Sequence, residues 1–437
     1  MAEQRTQLVQ WSSAAASRAA GGLPRLLTGD FASGPTRLAD HLARYGPVPW
    51  PARRRYQREE LIAEVELAGL TGRGGAGFPT ARKLAAVSAR RHAVVIGNGT
   101  EGEPASAKDK VLLATSAHLV LDGAAIAAEL VGAAQAIVVA HPAVTEIVAE
   151  AAAERRLARI DRVRLSVVQA ADRFVAGEAS AVVRWLERGV PKPKSTPPRL
   201  SERGLHGRPT LVQNVETLAH LALIARYGAA WFRAVGTSAE PGTMLVTLVG
   251  AVEYPGVYEV AIGTRVGDVL ARGGDLAEPP GALLIGGYFG RWVNYACAAA
   301  LPFSDTGLRE VGAGVGAGLI AALPADACGL AETARIARYL ADESAGQCGP
   351  CVFGLDAIAG QMERLAEGRG TDLATLDRWI GQLRSGRGAC KHPDGTVAMF
   401  ASALRAFESE VTQHLRGWCT GATTQQGVLP VPPRIRQ

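Results

Sequence analysis

The chain has 437 residues, 48% hydrophobic and 20% charged, a composition typical of a globular protein with roughly two to four domains. Its net charge of +6 is spread along the chain, without Lys/Arg tracts interleaved with aromatic residues, which argues against nucleic acid as a partner. Six cysteines in this length do not suggest a disulfide framework and favour a reducing compartment. The most apolar run, residues 311–323, is too short to span a membrane, and the N-terminus lacks a signal-peptide pattern, so we expect a cytoplasmic protein.

The first 60 residues are rich in alanine and arginine and contain several prolines. They predict an N-terminal extension, poorly ordered over its first twenty residues and followed by short helices. Leu61, Ile62, Val65 and Ala68 then recur at helical spacing, which predicts a helix just before a glycine-rich stretch.

The glycine-rich stretch covers residues 69–83. Gly72, Gly74 and Gly77 have the G-x-G-x-x-G spacing, and glycines let main-chain N–H groups approach a phosphate closely. A dinucleotide fingerprint follows a strand, whereas a helix is predicted before this loop. The pattern therefore favours a phosphate-bearing cofactor bound outside a strand–loop–helix dinucleotide fold. A tight glycine-rich loop that binds no ligand remains the alternative.

A buried strand is predicted at residues 93–96, and a polar segment, residues 97–104, follows it. Ligands of open α/β sheets bind beyond the carboxyl ends of strands. Three of the six lysines in the chain, Lys83, Lys108 and Lys110, lie in or beside these two segments. This concentration predicts that a positive point charge is used there.

Helices and strands alternate from residue 61 to residue 238, which predicts an α/β layer with a largely parallel sheet. Helices are expected at 116–131 and 179–187, and strands at 134–140 and 163–168. The proline-rich segment 191–198 is expected to be extended and at the surface. From the residues alone, Glu178 is a helix-dipole acid, and Asn214 and Thr217 are helix-cap residues.

Residues 239–325 are β-rich, with strands expected at 244–249 and 256–260 and a short helix at 264–271. Residues 326–437 have helical periodicity. A run spaced by three and four residues predicts one continuous last helix through Val397, Phe400, Leu404, Phe407, Val411 and Leu415. With the helices expected before it, this predicts a four-helix bundle.

A C-G-P-C motif places Cys348 and Cys351 three residues apart, and Cys390 lies in a later glycine-rich loop. A thioredoxin-like dithiol would follow a strand, but the preceding residues 334–340 are predicted to be helical. A zinc site would need a fourth ligand besides these three cysteines. An iron–sulfur cluster is the other alternative, because paired cysteines with a third one distant in sequence suit it. The remaining cysteines, Cys297, Cys328 and Cys419, lie outside any motif and are expected to be buried thiols. Cys328 could also serve as an additional cluster ligand.

The stretch GRGGAGFPT at residues 72–80, followed by Lys83, resembles the flavin loop of the FMN-binding, NADH-oxidising subunit of respiratory complex I. The same family includes the diaphorase subunits of NAD-linked hydrogenases and formate dehydrogenases. Further segments match in family order, from about residue 65 to 415: Asn98 with residues 101–104 and 108–109, residues 177–178, residues 214–217 and the cysteine motif.

The resemblance implies an α/β fold with three units: a Rossmann-like flavin-binding layer at 61–238, a small ubiquitin-like β-grasp (SLBB) domain at 239–325, and a C-terminal four-helix bundle with an iron–sulfur motif at 326–437. It implies that hydride passes from NADH to FMN and that electrons leave singly through a cluster, with the protein supplying placement and electrostatics. The implied partners are iron–sulfur protein subunits, and the implied location is cytoplasmic, at the membrane only through partners.

The resemblance also implies roles for individual residues. FMN binding falls to Gly72, Arg73, Gly74, Gly75, Ala76, Gly77, Lys83, Asn98, Glu101, Gly177, Glu178, Asn214 and Thr217. Glu101 and Glu103 are the implied catalytic residues, with Glu103 facing the nicotinamide nucleotide. Cys348, Cys351 and Cys390 are the implied ligands of a [4Fe–4S] or [3Fe–4S] cluster.

The sequence departs from the family pattern at several positions. Thr100 replaces an aspartate, Ala179 replaces a second glutamate, and Ala345 replaces the first cluster cysteine. Ala86 and Arg199 align near the aromatic residues that stack on the nucleotide. These departures predict weak NADH binding and leave two alternatives: a flavin adaptor that works with a ferredoxin or a membrane-bound reductase, or a cofactor-poor structural subunit.

Overall fold

The computed structural model describes residues 25–28, 34–51, 55–194, 198–276, 278–384, 386–419, 421 and 427–432. The first twenty residues, predicted to be poorly ordered, lie outside this part, as do residues 195–197 of the predicted proline-rich segment. The described chain forms two sheets, each with its own helices, followed by a C-terminal group of helices.

The first sheet has four parallel strands, in the spatial order β3-β2-β1-β4. The strands are β1 (Val94–Gly99), β2 (Gln135–Ala140), β3 (Arg164–Gln169) and β4 (Thr210–Asn214). The sequence predicted the first three; β4 was missed. The strand order reverses between β1 and β4, which is where ligands bind in open α/β sheets. Asn98 and Asn214 pair in register at the carboxyl ends of these two strands.

Helices cover this sheet: Leu38–Tyr45, Arg55–Ala68, Thr80–Ser88, Lys108–Leu130, Thr145–Ala158, Ala179–Arg188 and Val215–Arg233. We call Lys108–Leu130 the core helix, because nearly all of its residues are buried. By length and composition alone it could cross a membrane, but its apolar window lies entirely inside the protein, as expected for the central helix of a folded domain. Its buried Asp122 is ion-paired with Arg155 at 2.7 Å and with Arg226.

The second sheet has the order β6-β5-β9-β7-β8. Its strands are β5 (Thr243–Gly250), β6 (Gly256–Ala261), β7 (Ala282–Ile285), β8 (Arg291–Asn294) and β9 (Leu319–Leu323). The first and last strands are parallel neighbours and hairpins flank them. Helix Val266–Leu270 follows the first hairpin, which is the ubiquitin-like arrangement that the sequence predicted. Two further short helices are Tyr295–Ala298 and Asp305–Leu308.

The C-terminal helices are Gly329–Asp342, Asp356–Ala366, Leu373–Leu383, His392–Ala406 and Glu408–Leu415, with a π-helical turn at Pro350–Leu355. The predicted continuous last helix is wrong, because Phe407 leaves helical geometry at φ −114° and ψ 33° and divides it. The Phe407 ring packs edge-on against Trp292 of β8, with ring centroids 5.2 Å apart. The C-terminal helices and one face of the second sheet thus share one apolar core.

Candidate functional site

Residues 72–77, the glycine loop, close a tight hairpin-like bend. A bridge joins Thr71 to Pro79, and the Gly72 N–H donates to the Phe78 carbonyl at 2.9 Å. Gly75 has φ of +94°, a conformation that side-chain-bearing residues rarely adopt. A Cβ on Gly74 would lie 3.3 Å from Cβ of Asn214, at the carboxyl end of β4. The loop therefore lies over the reversal point of the first sheet.

Lys83 is the cation available beside this loop. It lies on helix Thr80–Ser88 and is half-buried, and no hydrogen bond or ion pair joins its ammonium to another residue in the described part of the chain. Burial lowers the pKa of Lys83. Its nitrogen lies 5.8 Å from the Phe78 ring centroid. A half-buried cation without an anion is what a phosphate site provides.

The other two lysines have internal partners, so Lys83 is the one of the three that fits the predicted point charge. Lys108 Nζ donates to Asp109 at 2.7 Å and to Glu216 at 2.9 Å. Lys110 Nζ donates to the Ser106 carbonyl at 2.6 Å. These contacts tie the start of the core helix to its surroundings.

Arg73 also points into the protein. Its guanidinium is buried and donates to the Thr243 carbonyl at 3.2 Å and to the Thr71 hydroxyl at 2.7 Å. Its backbone N–H donates to the Thr217 hydroxyl at 2.9 Å. The side chains of Arg73 and Thr217 therefore shape the loop from beneath, and their assignment to cofactor binding stays a prediction.

Asn98 and Asn214 hold three chain segments at the sheet edge. Asn98 Nδ2 donates to the Gly177 carbonyl at 2.8 Å. Asn214 caps helix Val215–Arg233 through the Glu216 N–H at 2.9 Å, which confirms its predicted cap role, and its Nδ2 donates to Asp109 at 2.6 Å. The structure thus brings together Asn98, Gly177 and Asn214, which are far apart in sequence.

Both carboxylate oxygens of Glu101 accept hydrogen bonds from nearby residues. One oxygen accepts from the Ser106 hydroxyl at 2.7 Å and the Asp109 N–H at 3.0 Å, and the other accepts from the Lys110 N–H at 2.8 Å. Burial opposes ionisation, but the nearby lysines and these hydrogen bonds hold the pKa of Glu101 below its ordinary value. Glu101 therefore caps the core helix from outside it, and its catalytic role stays a prediction.

Glu103 is arranged differently. Its Oε2 accepts from the Tyr288 N–H at 3.0 Å, just after β7, while its Oε1 is buried without a hydrogen-bond partner among the described residues. Burial raises the pKa of Glu103 to about 8, so the carboxyl is mostly protonated at neutral pH. Sequence reasoning missed the contribution of Tyr288, because nothing local links it to this segment.

Two hydroxyls in the segments that flank the glycine loop are also unsatisfied. Thr80 Oγ1 and Thr100 Oγ1 are buried and have no hydrogen-bond partner among the described residues. Buried polar groups in proteins are normally paired. Thr80, Thr100 and Glu103 therefore each have a polar atom free to bind a polar ligand such as FMN.

Residues 173–178, the bridging turn, connect this region to the C-terminal helices. A Cβ on Gly102 would lie 2.5 Å from the Arg173 carbonyl oxygen, so glycine permits the turn to pack directly on the segment after β1. Arg173 Nε lies 2.9 Å from a Glu343 carboxylate oxygen, which also accepts from the Phe174 N–H at 2.9 Å.

The bridging turn also packs near the cysteine motif, since the Phe174 ring lies edge-on to the His392 ring, two residues after Cys390, with centroids 5.5 Å apart. Glu178 caps helix Ala179–Arg188 through the N–H groups of Ser180 and Ala181, which confirms its predicted role at a helix N-terminus. Burial raises the pKa of the Cys390 thiol, and the nearby Glu178 carboxylate adds to this effect. Glu178 therefore lies within electrostatic range of Cys390, while its neighbour Gly177 contacts Asn98.

Cys348 and Cys351 lie on one turn, and Cys390 is close enough to Cys351 to influence its ionisation. The Cys351 N–H donates to the Cys348 carbonyl at 3.0 Å. Burial, with the adjacent Cys348 and Cys390 thiols, raises the pKa of Cys351 to about 12. Ala345, where the family pattern has a cysteine, is buried. The set fits three of the four thiolate ligands of an iron–sulfur cluster.

Two side chains that could supply the fourth ligand, His392 and Cys328, have contacts elsewhere. His392 Nε2 bonds to the Leu340 carbonyl at 2.7 Å. Cys328 lies in a different cluster, 3.4 Å from Nε2 of His414. The prediction that the three other cysteines are buried thiols holds only for Cys328, since Cys297 and Cys419 are exposed.

Comparisons with known proteins agree with this layout. Residues 65–223 match the Nuo51 FMN-binding domain, residues 245–282 the SLBB domain, and residues 331–414 the NADH-ubiquinone oxidoreductase-F iron-sulfur binding region. The second F-type subunit of NADH-quinone oxidoreductase in Rhizobium meliloti (strain 1021) is 29% identical over 378 residues, 82% of this chain and 90% of that protein. The corresponding F-type subunit in Mycobacterium tuberculosis (strain ATCC 25618 / H37Rv) is 30% identical over 392 residues, 82% of this chain and 85% of that protein.

The fold is also similar to a solved structure, that of an NAD⁺-reducing [NiFe]-hydrogenase in the H₂-reduced state. The match has a TM-score of 0.75 and 30% sequence identity, and covers 87% of this chain. It spans 66% of the hydrogenase chain, so about a third of that chain has no counterpart in the match.

Proposed function

The chain belongs to the family of F-type subunits of NADH-quinone oxidoreductase, and from this membership we propose that it oxidises NADH with bound FMN and passes the electrons to an iron–sulfur cluster. Bound FMN accepts a hydride and releases electrons one at a time, which is the chemistry that the protein itself lacks. The observation that carries the proposal is the bridging turn: its Gly177 carbonyl accepts from Asn98 at the flavin side, and its Phe174 ring packs edge-on against His392, two residues after Cys390, with centroids 5.5 Å apart.

The glycine loop and Lys83 are the groups that we assign to the FMN phosphate. Main-chain N–H groups and a single cation suit a phosphate dianion. Asn98 and Asn214, at the reversal point of the sheet, supply the polar edge on which the rest of the cofactor rests. Glu103 offers a protonated oxygen to the nicotinamide nucleotide, because its Oε1 has no protein partner among the described residues.

We assign Cys348, Cys351 and Cys390 to the cluster. Ala345 leaves the fourth ligand position without a thiolate, and His392 and Cys328 already have other contacts. The fourth position therefore falls to solvent or to a side chain of a partner, or the cluster holds three irons. Because relatives are subunits of larger enzymes, we infer an iron–sulfur partner subunit in the cytoplasm, at the membrane only through such partners.

A second candidate function is a flavin adaptor that exchanges electrons with a ferredoxin or a membrane-bound reductase rather than with NADH. It is favoured by Ala86 and Arg199, which are exposed and replace the aromatic residues expected to stack on the nucleotide. Both candidates require flavin; only the first requires NADH.

The experiment is an anaerobic titration of the flavin absorbance band. We expect purified protein to carry FMN and NADH to bleach the band. Bleaching by a reduced ferredoxin but not by NADH would establish the adaptor instead. Protein that takes up no FMN on reconstitution would overturn both and leave the structural subunit.

A further inference from the structure

Cys328, His414 and Cys419 form a cluster apart from the C-G-P-C motif. Their ligand atoms all lie within 4.8 Å of one another, and Cys328 Sγ lies 3.4 Å from Nε2 of His414. Cys328 precedes helix Gly329–Asp342, His414 ends helix Glu408–Leu415, and Cys419 follows four residues after that helix. Cys328 and His414 are buried, whereas Cys419 is exposed.

The histidine is oriented for coordination. Its Nδ1 lies 3.1 Å from the Leu365 carbonyl oxygen, which can only accept, so Nδ1 carries the proton. The unprotonated Nε2 lone pair then faces the sulfur of Cys328. A carbonyl that holds the second ring nitrogen is the usual outer-shell partner of a metal-binding histidine.

The two sulfurs are oriented in a similar way. Cys328 Sγ accepts from the Ala331 N–H at 3.3 Å, and Cys419 Sγ accepts from the Gly421 N–H at 3.3 Å. Burial disfavours the thiolate form of Cys328, the form that binds metal, and the Ala331 N–H offsets part of that effect. Gly421 packs directly on Cys328, since a Cβ there would lie 2.7 Å from the Cys328 nitrogen. The loop that carries Cys419 is thereby held against the start of the first C-terminal helix.

We propose that Cys328, His414 and Cys419 bind a zinc ion. Two thiolates and a neutral imidazole are a typical donor set for tetrahedral Zn²⁺, and the exposure of Cys419 leaves the fourth position to solvent. The site is separate from the iron–sulfur motif in ligands and in location.

By binding both Cys419 and Cys328, the zinc ion links the segment after the last helix to the start of helix Gly329–Asp342. Further along, the Val428 and Leu429 N–H groups donate to the Glu332 carboxylate of that helix at 2.8 and 3.2 Å, and Leu429 is buried. The metal and Glu332 therefore hold two points of the C-terminal segment on one helix. Because binding energy for the native state adds to its stability, metal removal lowers the melting temperature.

The test uses the full-length protein and Co²⁺ as a spectroscopic probe for zinc. We expect wild type to bind Co²⁺ with the thiolate-to-cobalt absorbance of a tetrahedral site, Cys419→Ser to lose that contribution, and the control Cys297→Ser to keep it. Cys419 and Cys297 are both exposed, so neither substitution leaves a cavity. Taking the difference between variants removes any signal from the C-G-P-C cysteines.

A chelator supplies the second measurement. We expect it to lower the melting temperature of wild type and Cys297→Ser, and to leave that of Cys419→Ser unchanged. Identical Co²⁺ spectra in wild type and Cys419→Ser would overturn the proposal. A Cys328–Cys419 disulfide in freshly purified, metal-free protein would overturn it as well. Neither readout depends on flavin or on NADH oxidation.

Discussion

The Lys83→Met variant tests the phosphate assignment most directly. The Lys83 ammonium is half-buried and contacts no partner in the described chain, so no protein anion compensates its charge. A hydrogen bond to a charged group contributes about 1.5–3 kcal/mol, which corresponds to a factor of roughly 10 to 150 in Kd. We expect Lys83→Met to weaken FMN binding by that factor. Flavin-free protein should not lose stability, because the substitution removes an unpaired charge from a partly buried position.

The assay is titration of FMN into flavin-free protein, followed by the change in flavin fluorescence. Lys192→Met is the matched control, since Lys192 is exposed and lies in the proline-rich segment. An FMN Kd equal to that of wild type would refute the assignment. A lower melting temperature for flavin-free Lys83→Met would show instead that the lysine is structural.

Three other predictions follow from the same site. The raised pKa of Glu103, about 8, lies above its unfolded value of about 4.3, so wild type loses stability as pH rises through that interval. We expect Glu103→Gln, which cannot ionise, to gain melting temperature relative to wild type between pH 5 and about 8; a constant difference would contradict this. Ala345→Cys should raise the iron content per chain and slow cluster loss in air, as measured by iron and sulfide analysis with electron paramagnetic resonance; unchanged iron would count against the cluster assignment. Stacking on a base contributes roughly 1–3 kcal/mol, so we expect NADH to bind about tenfold or more weakly than in a relative with both aromatic residues, and a tight complex would contradict that.

Elements with strong local periodicity could be predicted, but their ends could not. The core helix was expected to begin at residue 116, where Ser116 in fact departs from helical geometry at φ −127° and ψ 36°. The helix begins at Lys108 because the Glu101 carboxylate accepts from the Asp109 and Lys110 N–H groups. Capping motifs in a sequence place the capping side chain within a few residues of the helix start. Glu101 lies seven residues before Lys108, so no such motif marks this helix start.

The site shows the same limit. The glycine loop and the paired asparagines could be identified from motifs, whereas the direction of the Arg73 side chain depends on Thr243, 170 residues away. Lys108 likewise depends on Glu216, 108 residues away. Cys328, His414 and Cys419 have no motif spacing at all, and only the packing of three C-terminal segments brings their ligand atoms together.

The parallel topology brings three segments of the proposed flavin site to one edge of the first sheet. Because all four strands of the first sheet are parallel, the segments that follow β1, β3 and β4 leave from the same edge. Asn98 lies at the carboxyl end of β1, β4 ends at Asn214, and the segment after β3 leads into the bridging turn. That turn bonds to Glu343 through the Phe174 N–H and, three residues later, to Asn98 through the Gly177 carbonyl. In the proposed assignment, one short segment of chain therefore links the flavin side to the cluster side, whichever group completes the cluster at Ala345.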